Sequence, residues 1–362
     1  MNVTRPTIME IDLNAFEHNV NEIQKYIGND IKIMAIIKAN AYGTQINTLL
    51  DIVNKFDIVG VAFVDEGVLL RELGYKKEIF VLNQPYENEI ENIAKYNLTV
   101  GISSSNFVDS LGKNINNFNV HIEIGTGMGR TGINPYKVKE YIEKVKEYSN
   151  IKVDGIYTHL SSADIDKEYT EKQLYSFEIA VKEAKEILGN LKYIHAGASN
   201  GILYFKESHY NLVRPGIILY GYKSAIDTYD YINIKPVAKL KSKITLLKTV
   251  KENTSIGYGR SFVTNRETKV ATIPIGYADG FRRSNSNKGY VLINGKKASV
   301  IGNVCMDSIM VDVTDIEEIK LWDDVYIWDN ENITVEEIAE INETINHEIL
   351  STISYRVPRR FI

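Results

Sequence analysis

Short apolar runs that alternate with helix-like segments are the feature that most constrains the fold of this chain. Parallel strands covered on both faces have continuous rather than alternating hydrophobicity. Eight such runs are predicted as strands: Ile33–Ile37, Ile58–Phe63, Glu78–Leu82, Leu98–Ile102, Val120–Ile124, Val153–Thr158, Tyr193–Ala196 and Leu212–Leu219. Eight strands separated by helices within about 190 residues favour a (β/α)8 TIM-like barrel over an open doubly wound sheet.

Two of the intervening helices have clear boundaries. Apolar residues recur at helical spacing over Thr170–Leu188, and Gly189 follows as a C-terminal stop. A second helix is predicted to begin at Asn134-Pro135, where an N-cap residue precedes a proline at the first helical position.

After Lys235-Pro236 the pattern changes to strands without long helices between them. The predicted strands there are Lys239–Val250, Lys269–Ile275, Tyr290–Ile301, Ile309–Val313 and Val325–Trp328. Asn294-Gly295 predicts a two-residue hairpin, and the capping box from Thr334 to Glu337 opens one short helix. We therefore predict a barrel domain over residues 1–235 and a mostly β C-terminal domain over residues 236–362.

Composition and charge argue against several classes of protein. A formal net charge of -5 gives no basic surface, which makes nucleic acid a poor partner. The start of the chain lacks the apolar core of a signal peptide, and no apolar run is long enough to span a bilayer. The single cysteine fits a reducing cytoplasm, and the six histidines lack metal-ligand spacing, so we expect a cytoplasmic protein without a metal.

Lys38 stands where the first apolar strand ends. Desolvation lowers the pKa of a lysine and frees its amine as a nucleophile, so this position suits chemistry. A lysine that ends a strand and extends its ammonium to solvent is the alternative, and the stretch alone does not separate the two.

Further polar residues follow the same ends of later strands. In a barrel the chemistry sits at the C-terminal ends of the strands, and phosphate often binds beyond strands seven and eight. The residues placed there are Lys38, Arg130, His159, Ser199 and Arg214. Each alone is explained as a surface polar residue, but gathered at one rim they make a candidate site.

One motif points elsewhere. Gly127-Met-Gly129-Arg-Thr-Gly132 matches the dinucleotide fingerprint, with Asp154 about 20 residues further on. That fingerprint requires a helix that starts inside the glycines, so that its N-terminus meets the pyrophosphate. The predicted helix begins later, at Asn134-Pro135, which disfavours a nicotinamide site.

The segment Ile37-Lys38-Ala-Asn-Ala-Tyr42-Gly43 resembles the pyridoxal-phosphate attachment signature of alanine racemases, which are pyridoxal-dependent barrels of fold type III. Further blocks match in register along essentially the whole chain: Arg5-Pro-Thr, Gly125–Gly132, Thr158–Asp164, Val213–Ile217, Leu219–Gly221, Gly257–Arg260, Pro274–Gly280, Gly302–Asp307 and Ser354–Arg359. The resemblance implies an isomerase that uses pyridoxal 5'-phosphate to interconvert L- and D-alanine and supplies D-alanine for peptidoglycan.

The resemblance also implies a role for individual residues. Lys38 would hold the cofactor covalently and act as one proton-transfer base, and Tyr258 would be the base on the opposite face of the substrate. Arg214 would meet the pyridine nitrogen, with His159 supporting the ring and Arg214. The residues that would bind the phosphate are Tyr42, Ser199, Gly216, Ile217 and Tyr355.

Substrate binding and assembly follow from the same resemblance. Arg130 and the Met306 backbone would hold the substrate carboxylate, and Tyr277 and Asp307 would narrow the entrance. In this family the second domain of one subunit completes the barrel site of the other, which implies a head-to-tail homodimer.

Four positions, in three segments, depart from the family pattern. Thr44-Gln45 replaces the usual His-Gly, and Ala198-Ser199 stands where Asn-Ser is commoner. Glu123 lies seven residues before Arg130, where many members carry a lysine that is often carbamylated. A glutamate could supply the same negative charge to position Arg130.

Other activities on similar folds remain alternatives. A serine or broad-specificity racemase is the nearest, although Tyr355 favours alanine, because serine-racemising relatives tend to carry a smaller amide residue there. A pyridoxal-phosphate-binding homeostasis protein is disfavoured by residues 236–362, since such proteins are typically a barrel alone. A decarboxylase is disfavoured by the Gly302–Asp307 block and the Arg214 turn.

Overall fold

The structure, a computed structural model, describes residues 4–362, so the first three residues of the predicted N-terminal stretch lie outside the described residues. The chain divides into two compact units. The barrel unit contains Glu17–Ala41 and Leu49–Ile234. The β unit contains the stretch up to Phe16, the segment Tyr42–Thr48 and Lys235–Ile362.

Eight parallel strands form the sheet of the barrel unit, after β1 (Ile8–Ile11) and α1 (Leu13–Ile27). They are β2 (Lys32–Ile36), β3 (Ile58–Val61), β4 (Glu78–Val81), β5 (Thr99–Ile102), β6 (Phe118–Ile124), β7 (Ile151–Thr158), β8 (Tyr193–His195) and β9 (Leu212–Val213). Strands β2 to β8 pair in chain order and β9 pairs with β2. A parallel bridge between Ala198 and Arg214 joins the ends beyond β8 and β9. The predicted barrel is confirmed.

Helices connect these strands as the pattern predicted. They are α2 (Leu50–Val53), α3 (Val64–Glu72), α4 (Ile90–Lys95), α5 (Ser105–Gly112), α6 (Val138–Lys146), α7 (Lys167–Leu188), α8 (Ser199–Tyr204) and α9 (Thr228–Tyr231). Asp166 caps α7 by accepting from the Tyr169 N–H at 2.9 Å, and Gly189 ends it at φ 74°. Asn134 caps the 3-10 turn before α6, so no helix starts inside the glycines of the dinucleotide-like motif.

The eighth predicted strand is wrong beyond Val213. Pro215 has no backbone N–H to donate to a neighbouring strand, and Ile217–Tyr220 form a 3-10 turn instead. The strand therefore ends one residue before Arg214, whose backbone N–H donates to the Gly197 carbonyl at 2.8 Å. This early end places the Arg214 side chain at the rim of the barrel.

The β unit is built around three antiparallel or mixed sheets. Its later strands are β10 (Ala238–Lys243), β11 (Leu246–Val250), β12 (Ser255–Ile256), β13 (Phe262–Val263), β14 (Thr268–Ile273), β15 (Tyr290–Ile293), β16 (Lys296–Ser299), β17 (Ile309–Asp312), β18 (Asp324–Trp328) and β19 (Arg359–Phe361). The largest sheet has the order β16–β15–β18–β10–β1–β19. The mostly β character is confirmed, but β1, β12, β13 and β19 were not predicted. The single strand predicted over Lys239–Val250 is wrong, because the chain leaves one sheet after Lys243 and enters another at Leu246.

The predicted hairpin and the predicted capping box in the β unit are confirmed. Asn294 and Gly295 both have positive φ and connect β15 to β16 as a hairpin. The Thr334 hydroxyl accepts from the Glu337 N–H at 3.1 Å and the Glu337 carboxylate accepts from the Thr334 N–H at 2.9 Å, which opens α10 (Val335–Ile341). The sequence analysis missed α11 (Asn346–Ser351), which has no side-chain cap. No helix within residues 4–362 is long and apolar enough to cross a membrane.

A line of hydrogen bonds between polar groups runs through the interior of the barrel. Nη1 of Arg214 lies 3.0 Å from Nδ1 of His195, and Nε2 of His195 lies 2.9 Å from Nδ1 of His121. A guanidinium only donates, so Nδ1 of His195 accepts and its Nε2 carries the proton. His121 then accepts at Nδ1 and carries its proton on Nε2, which is buried and has no partner among residues 4–362. Both tautomers are thereby fixed.

Both histidines of this line are held neutral. Burial, with the charges of Lys192 and Arg214, lowers the pKa of His121 to about 3. Burial and Arg214 lower the pKa of His195 well below its ordinary 6.5. An unfolded chain exposes these rings to water, so it binds protons that the folded barrel excludes over the range below pH 6.5.

This difference predicts an acid-sensitive barrel. As pH falls below 6.5, the unfolding free energy should drop by about 1.4 kcal/mol per pH unit for each such histidine. His121→Asn keeps an acceptor for the His195 N–H but does not titrate, so its unfolding free energy should fall less steeply. Urea unfolding followed by circular dichroism at about pH 7, 6 and 5 measures both slopes. Equal slopes in parent and variant would contradict the assignment.

Candidate active site

Lys38 follows β2 at the rim of the barrel unit and is half-buried. Burial lowers the pKa of its ammonium, and the positive charges of Arg130 and Arg214 lower it further. Glu66 opposes part of this shift. The lysine that ends the first barrel strand is therefore nearer to its neutral, nucleophilic form than a lysine in water.

The backbone after Lys38 forms a left-handed turn. Ala39, Asn40, Ala41 and Tyr42 have φ values of 53°, 54°, 54° and 52°. This conformation costs roughly 1–2 kcal/mol for each residue other than glycine. The Glu66 carboxylate accepts from the Ala39 N–H at 2.6 Å and from the Ala62 N–H at 2.7 Å, which fixes the start of the turn. Such strain is retained where the surroundings hold it, often at functional sites.

Arg214 is a buried cation without a carboxylate partner among the described residues; its side chain is 2% exposed. Nη2 lies within hydrogen-bond distance of the Thr158 carbonyl, the Ala196 carbonyl and Nδ1 of His159, at 2.8, 3.0 and 3.3 Å. Its Nε–H contacts no acceptor in the part of the chain that the structure describes. One strong donor thus stays available at the rim.

His159 lies beside Arg214 and is held neutral. Burial lowers its pKa to about 3, with further contributions from Arg214, Arg130 and Lys38. The contact from Arg214 makes Nδ1 the acceptor, so the proton of the neutral ring resides on Nε2. Arg130 and Arg214 are therefore close enough to lower the pKa values of both Lys38 and His159.

The segment Gly125–Gly132 forms the loop that carries Arg130. Its two ends are joined by a bond from the Gly125 N–H to the Ile133 carbonyl at 2.8 Å. Gly132 has φ 103°, and a side chain there would come within 2.4 Å of the Gly125 nitrogen. The loop is also held from the side, because Tyr169 donates to the Gly127 carbonyl at 2.9 Å. The exposed Arg130 is thus presented by a tightly closed loop.

Glu123 is buried beneath this loop, with 4% of its surface exposed. Its carboxylate accepts from the Thr131 hydroxyl at 2.8 Å. Burial raises the pKa of Glu123, and the hydrogen bond from Thr131, the charge of Arg130 and the Tyr157 hydroxyl oppose the rise. The carboxyl group of Glu123 is therefore close enough to Arg130 for the charge of the arginine to act on its pKa.

Ser199, Gly216 and Ile217 meet beyond β8 and β9. The Gly216 N–H donates to the Ser199 hydroxyl at 3.2 Å, and both Ser199 and Ile217 are buried. The Ser199 hydroxyl accepts from Gly216 and donates to no acceptor among residues 4–362, so its O–H can donate to an anion.

The β unit holds a second group of predicted residues. The Tyr277 N–H donates to the Cys305 carbonyl and the Ala278 N–H donates to the Met306 carbonyl, both at 3.0 Å. Asp307 accepts from Arg356 at 2.6 Å, and Arg356 directly follows Tyr355. Arg356 also lies 3.6 Å from the buried Asp279, which accepts two hydrogen bonds from Arg5. Ion pairs therefore connect the segments of Tyr277, Met306, Asp307 and Tyr355.

Tyr258 and Tyr42 are the remaining predicted residues, both in the β unit. Tyr258 is 72% exposed, and its carbonyl accepts from the Asn303 amide at 2.7 Å. Tyr42 is buried, which raises its pKa, and its ring centroid lies 5.9 Å from that of His347. No cluster of three or more possible metal ligands occurs among residues 4–362.

Sequence reasoning missed Glu66, His195 and His121. Glu66 stands three residues after Phe63, at the position of a capping-box acid, which was the available signal. The two histidines gave no local signal, because their contacts join strands far apart in the chain.

Family models match both parts of the chain. The alanine racemase N-terminal domain matches residues 11–224, and the alanine racemase C-terminal domain matches residues 237–361. An alanine racemase from Halothermothrix orenii is 39% identical over 99% of this chain and 97% of its own length. One from Methanococcus maripaludis is 39% identical over 99% of this chain and 100% of its own length.

Solved structures of alanine racemases match the fold of this chain over its whole length. An alanine racemase from Clostridium difficile superposes with a TM-score of 0.94 at 35% identity, covering 100% of this chain and 97% of that one. An alanine racemase from Bacillus anthracis with bound L-Ala-P gives a TM-score of 0.94 at 32% identity, covering 100% of this chain and 96% of that one. The chain therefore belongs to the alanine racemase family.

Proposed function

We propose that this protein interconverts L- and D-alanine with pyridoxal 5'-phosphate as its cofactor. The observation that supports this most directly is the buried Arg214, whose Nε–H faces no acceptor among the described residues, beside a lysine of lowered pKa. An aromatic ring nitrogen would accept from that N–H, and a lysine amine would hold an aldehyde group. The named activity of the relatives supports the same proposal.

The residues present fit this cofactor. Lys38 would attach it, Arg214 would bind its ring nitrogen, and His159 would support the ring as a neutral imidazole. The Ser199 hydroxyl and the backbone of Gly216 and Ile217 would bind its phosphate, with Tyr42 and Tyr355 adding hydroxyls. When bound, the cofactor withdraws electrons from the α-carbon of the amino acid and so acidifies its proton.

Two bases would then exchange the α-proton. The Lys38 amine, once neutral, can accept a proton from one face of the α-carbon, and the Tyr258 phenol can return one to the other face. Arg130 would bind the substrate carboxylate together with the Met306 backbone, and Tyr277 and Asp307 would narrow the entrance. Free enantiomers have equal energy in water, so the protein sets the rate and leaves the final ratio at one.

Arg214 would also limit side reactions. A guanidinium does not give up its proton, so the ring nitrogen stays unprotonated and draws electrons less strongly than one paired with an acid. Such a ring would support the exchange of the α-proton but would favour side reactions such as transamination less.

The wider roles are also proposals. The two separate family models support a barrel domain over residues 1–235 and a β domain over residues 236–362. The single cysteine supports a cytoplasmic location. We place the protein in a head-to-tail homodimer and assign its product to peptidoglycan synthesis.

The direct test is D-alanine formation from L-alanine by purified protein with added pyridoxal phosphate. Turnover should fall roughly a hundredfold or more in Lys38→Ala and in Tyr258→Phe, since each removes one proton-transfer group. L-Serine is the matched substrate control. Serine turnover equal to or above that of alanine would move the assignment to a broad-specificity racemase, and full activity in Tyr258→Phe would contradict the two-base scheme.

Mixing these two variants tests the shared site. In a head-to-tail dimer of one Lys38→Ala chain and one Tyr258→Phe chain, one of the two sites has both Lys38 and Tyr258 intact. A homodimer of either variant has no such site. Equal mixing with subunit exchange should therefore restore about a quarter of the parental activity. Activity that stays at the level of the separate variants after exchange would mean that both residues of a site come from one chain.

Glu123→Gln tests the charge beneath the Arg130 loop. Loss of the carboxylate should raise the KM for L-alanine about tenfold with a smaller change in kcat, because Arg130 would be less well positioned to bind the substrate carboxylate. Glu143→Gln, on the exposed face of α6, is the matched control and should keep the parental KM. An unchanged KM in Glu123→Gln would refute the role.

A further inference from the structure

We propose that Arg359 positions the two tyrosine hydroxyls that bind the cofactor phosphate, by fixing the backbone next to Tyr42 and next to Tyr355. Arg359 itself does not reach the ligand in this scheme; it acts through the main chain. The inference rests on the proposed function, because the phosphate is assigned there.

Every contact of the Arg359 guanidinium is with a backbone carbonyl of the β unit. Nε and Nη2 donate to the Gly43 carbonyl at 2.9 and 2.6 Å. Nη1 donates to the Ser354 and Val357 carbonyls, and Nη2 also donates to the Ile353 carbonyl at 2.8 Å. One planar side chain thereby joins the residue after Tyr42 to the residues on both sides of Tyr355.

This arrangement is unusual for a cation. No ion pair among the described residues involves Arg359, although its neighbour Arg360 pairs with Glu10. Burial lowers the pKa of Arg359 to about 10, so its charge is retained at neutral pH and is balanced by carbonyl dipoles alone. The fork of five N–H groups can reach several carbonyls at once, so a single side chain can join separate backbone segments.

The backbone at Tyr42 requires such support. Tyr42 is the last residue of the left-handed turn, at φ 52°, and Gly43 follows at φ 80°. A side chain on Gly43 would lie 2.1 Å from the Leu350 carbonyl, so this segment runs against the helix α11 with no room to spare. The Glu66 carboxylate fixes the start of the turn, and Arg359 fixes its end through Gly43.

Tyr355 depends on the same contacts for a different reason. Its side chain is 86% exposed, so packing within the chain does little to place its hydroxyl. The neighbouring Ser354 and Val357 carbonyls are both bound by Arg359. The position of Tyr355 is therefore set mainly by its backbone, and the backbone is held by Arg359.

The test compares two ligands that differ only in the phosphate. Apoprotein is titrated with pyridoxal phosphate and with pyridoxal, and binding is followed by the absorbance of the bound ligand. Arg359→Met should lose about tenfold or more in affinity for pyridoxal phosphate, with the affinity for pyridoxal within about twofold of the parent. The affinity of Arg359→Lys for pyridoxal phosphate should lie between those of the parent and of Arg359→Met, since an ammonium reaches fewer of the carbonyls than a guanidinium does.

Two controls keep the outcome interpretable. Arg360→Met removes a neighbouring cation that contacts neither tyrosine segment and should match the parent with both ligands. In Tyr42→Phe, the further replacement Arg359→Met should cost less than it does in the parent, because both changes act on one contact. If Arg359→Met does not fold, Arg359→Lys decides the comparison.

The opposing results are distinct. Equal losses for both ligands, or no loss for pyridoxal phosphate, would overturn the role of Arg359. A parent that binds no pyridoxal phosphate would instead refute the proposed function.

Discussion

The barrel rim is arranged around one buried guanidinium, that of Arg214, which has no carboxylate partner among residues 4–362. Arg214 donates to two imidazoles and two carbonyls, none of which carries a negative charge. Burial is the main cause of the lowered pKa values of Lys38, His159 and His195, and the positive charge of Arg214 lowers them further. A carboxylate paired with Arg214 would offset this positive charge. Because His195 and His121 are both neutral, neither imidazole offsets the charge of Arg214.

The β unit uses arginines in two ways. Arg5 and Arg356 pair with the carboxylates of Asp279 and Asp307, which holds the segments of Tyr277 and Met306 through opposite charges. Arg359 binds only carbonyls and joins segments of main chain. The first kind of contact balances a carboxylate with a cation, whereas the second holds main-chain segments together without an ion pair. The segments beside Tyr42 and Tyr355 are thus joined by the second kind of contact.

Strand positions in the barrel were predictable because continuous apolar runs need no partner to be recognised, and seven of the eight predicted strands lie within a few residues of the observed ones. The eighth failed after Val213 because Pro215 cannot donate. The left-handed turn after Lys38 could not be predicted, since Ala39 and Ala41 carry no local preference for positive φ. The pairing of β1 with β10 and β19 joins distant residues, as do the contacts of Arg359 and His121, and no periodic pattern reports such contacts.

Glu123 supplies negative charge beneath the Arg130 loop without a chemical modification of the side chain. The family resemblance implies a carbamylated lysine at this place in many members, and such a group would form only while carbon dioxide is available to the side chain. A glutamate is present from translation onward and needs no dissolved gas. Its burial raises its affinity for protons, however. In this protein the carboxyl group beneath the Arg130 loop therefore does not depend on the carbon dioxide supply, and its charge responds to acidity instead.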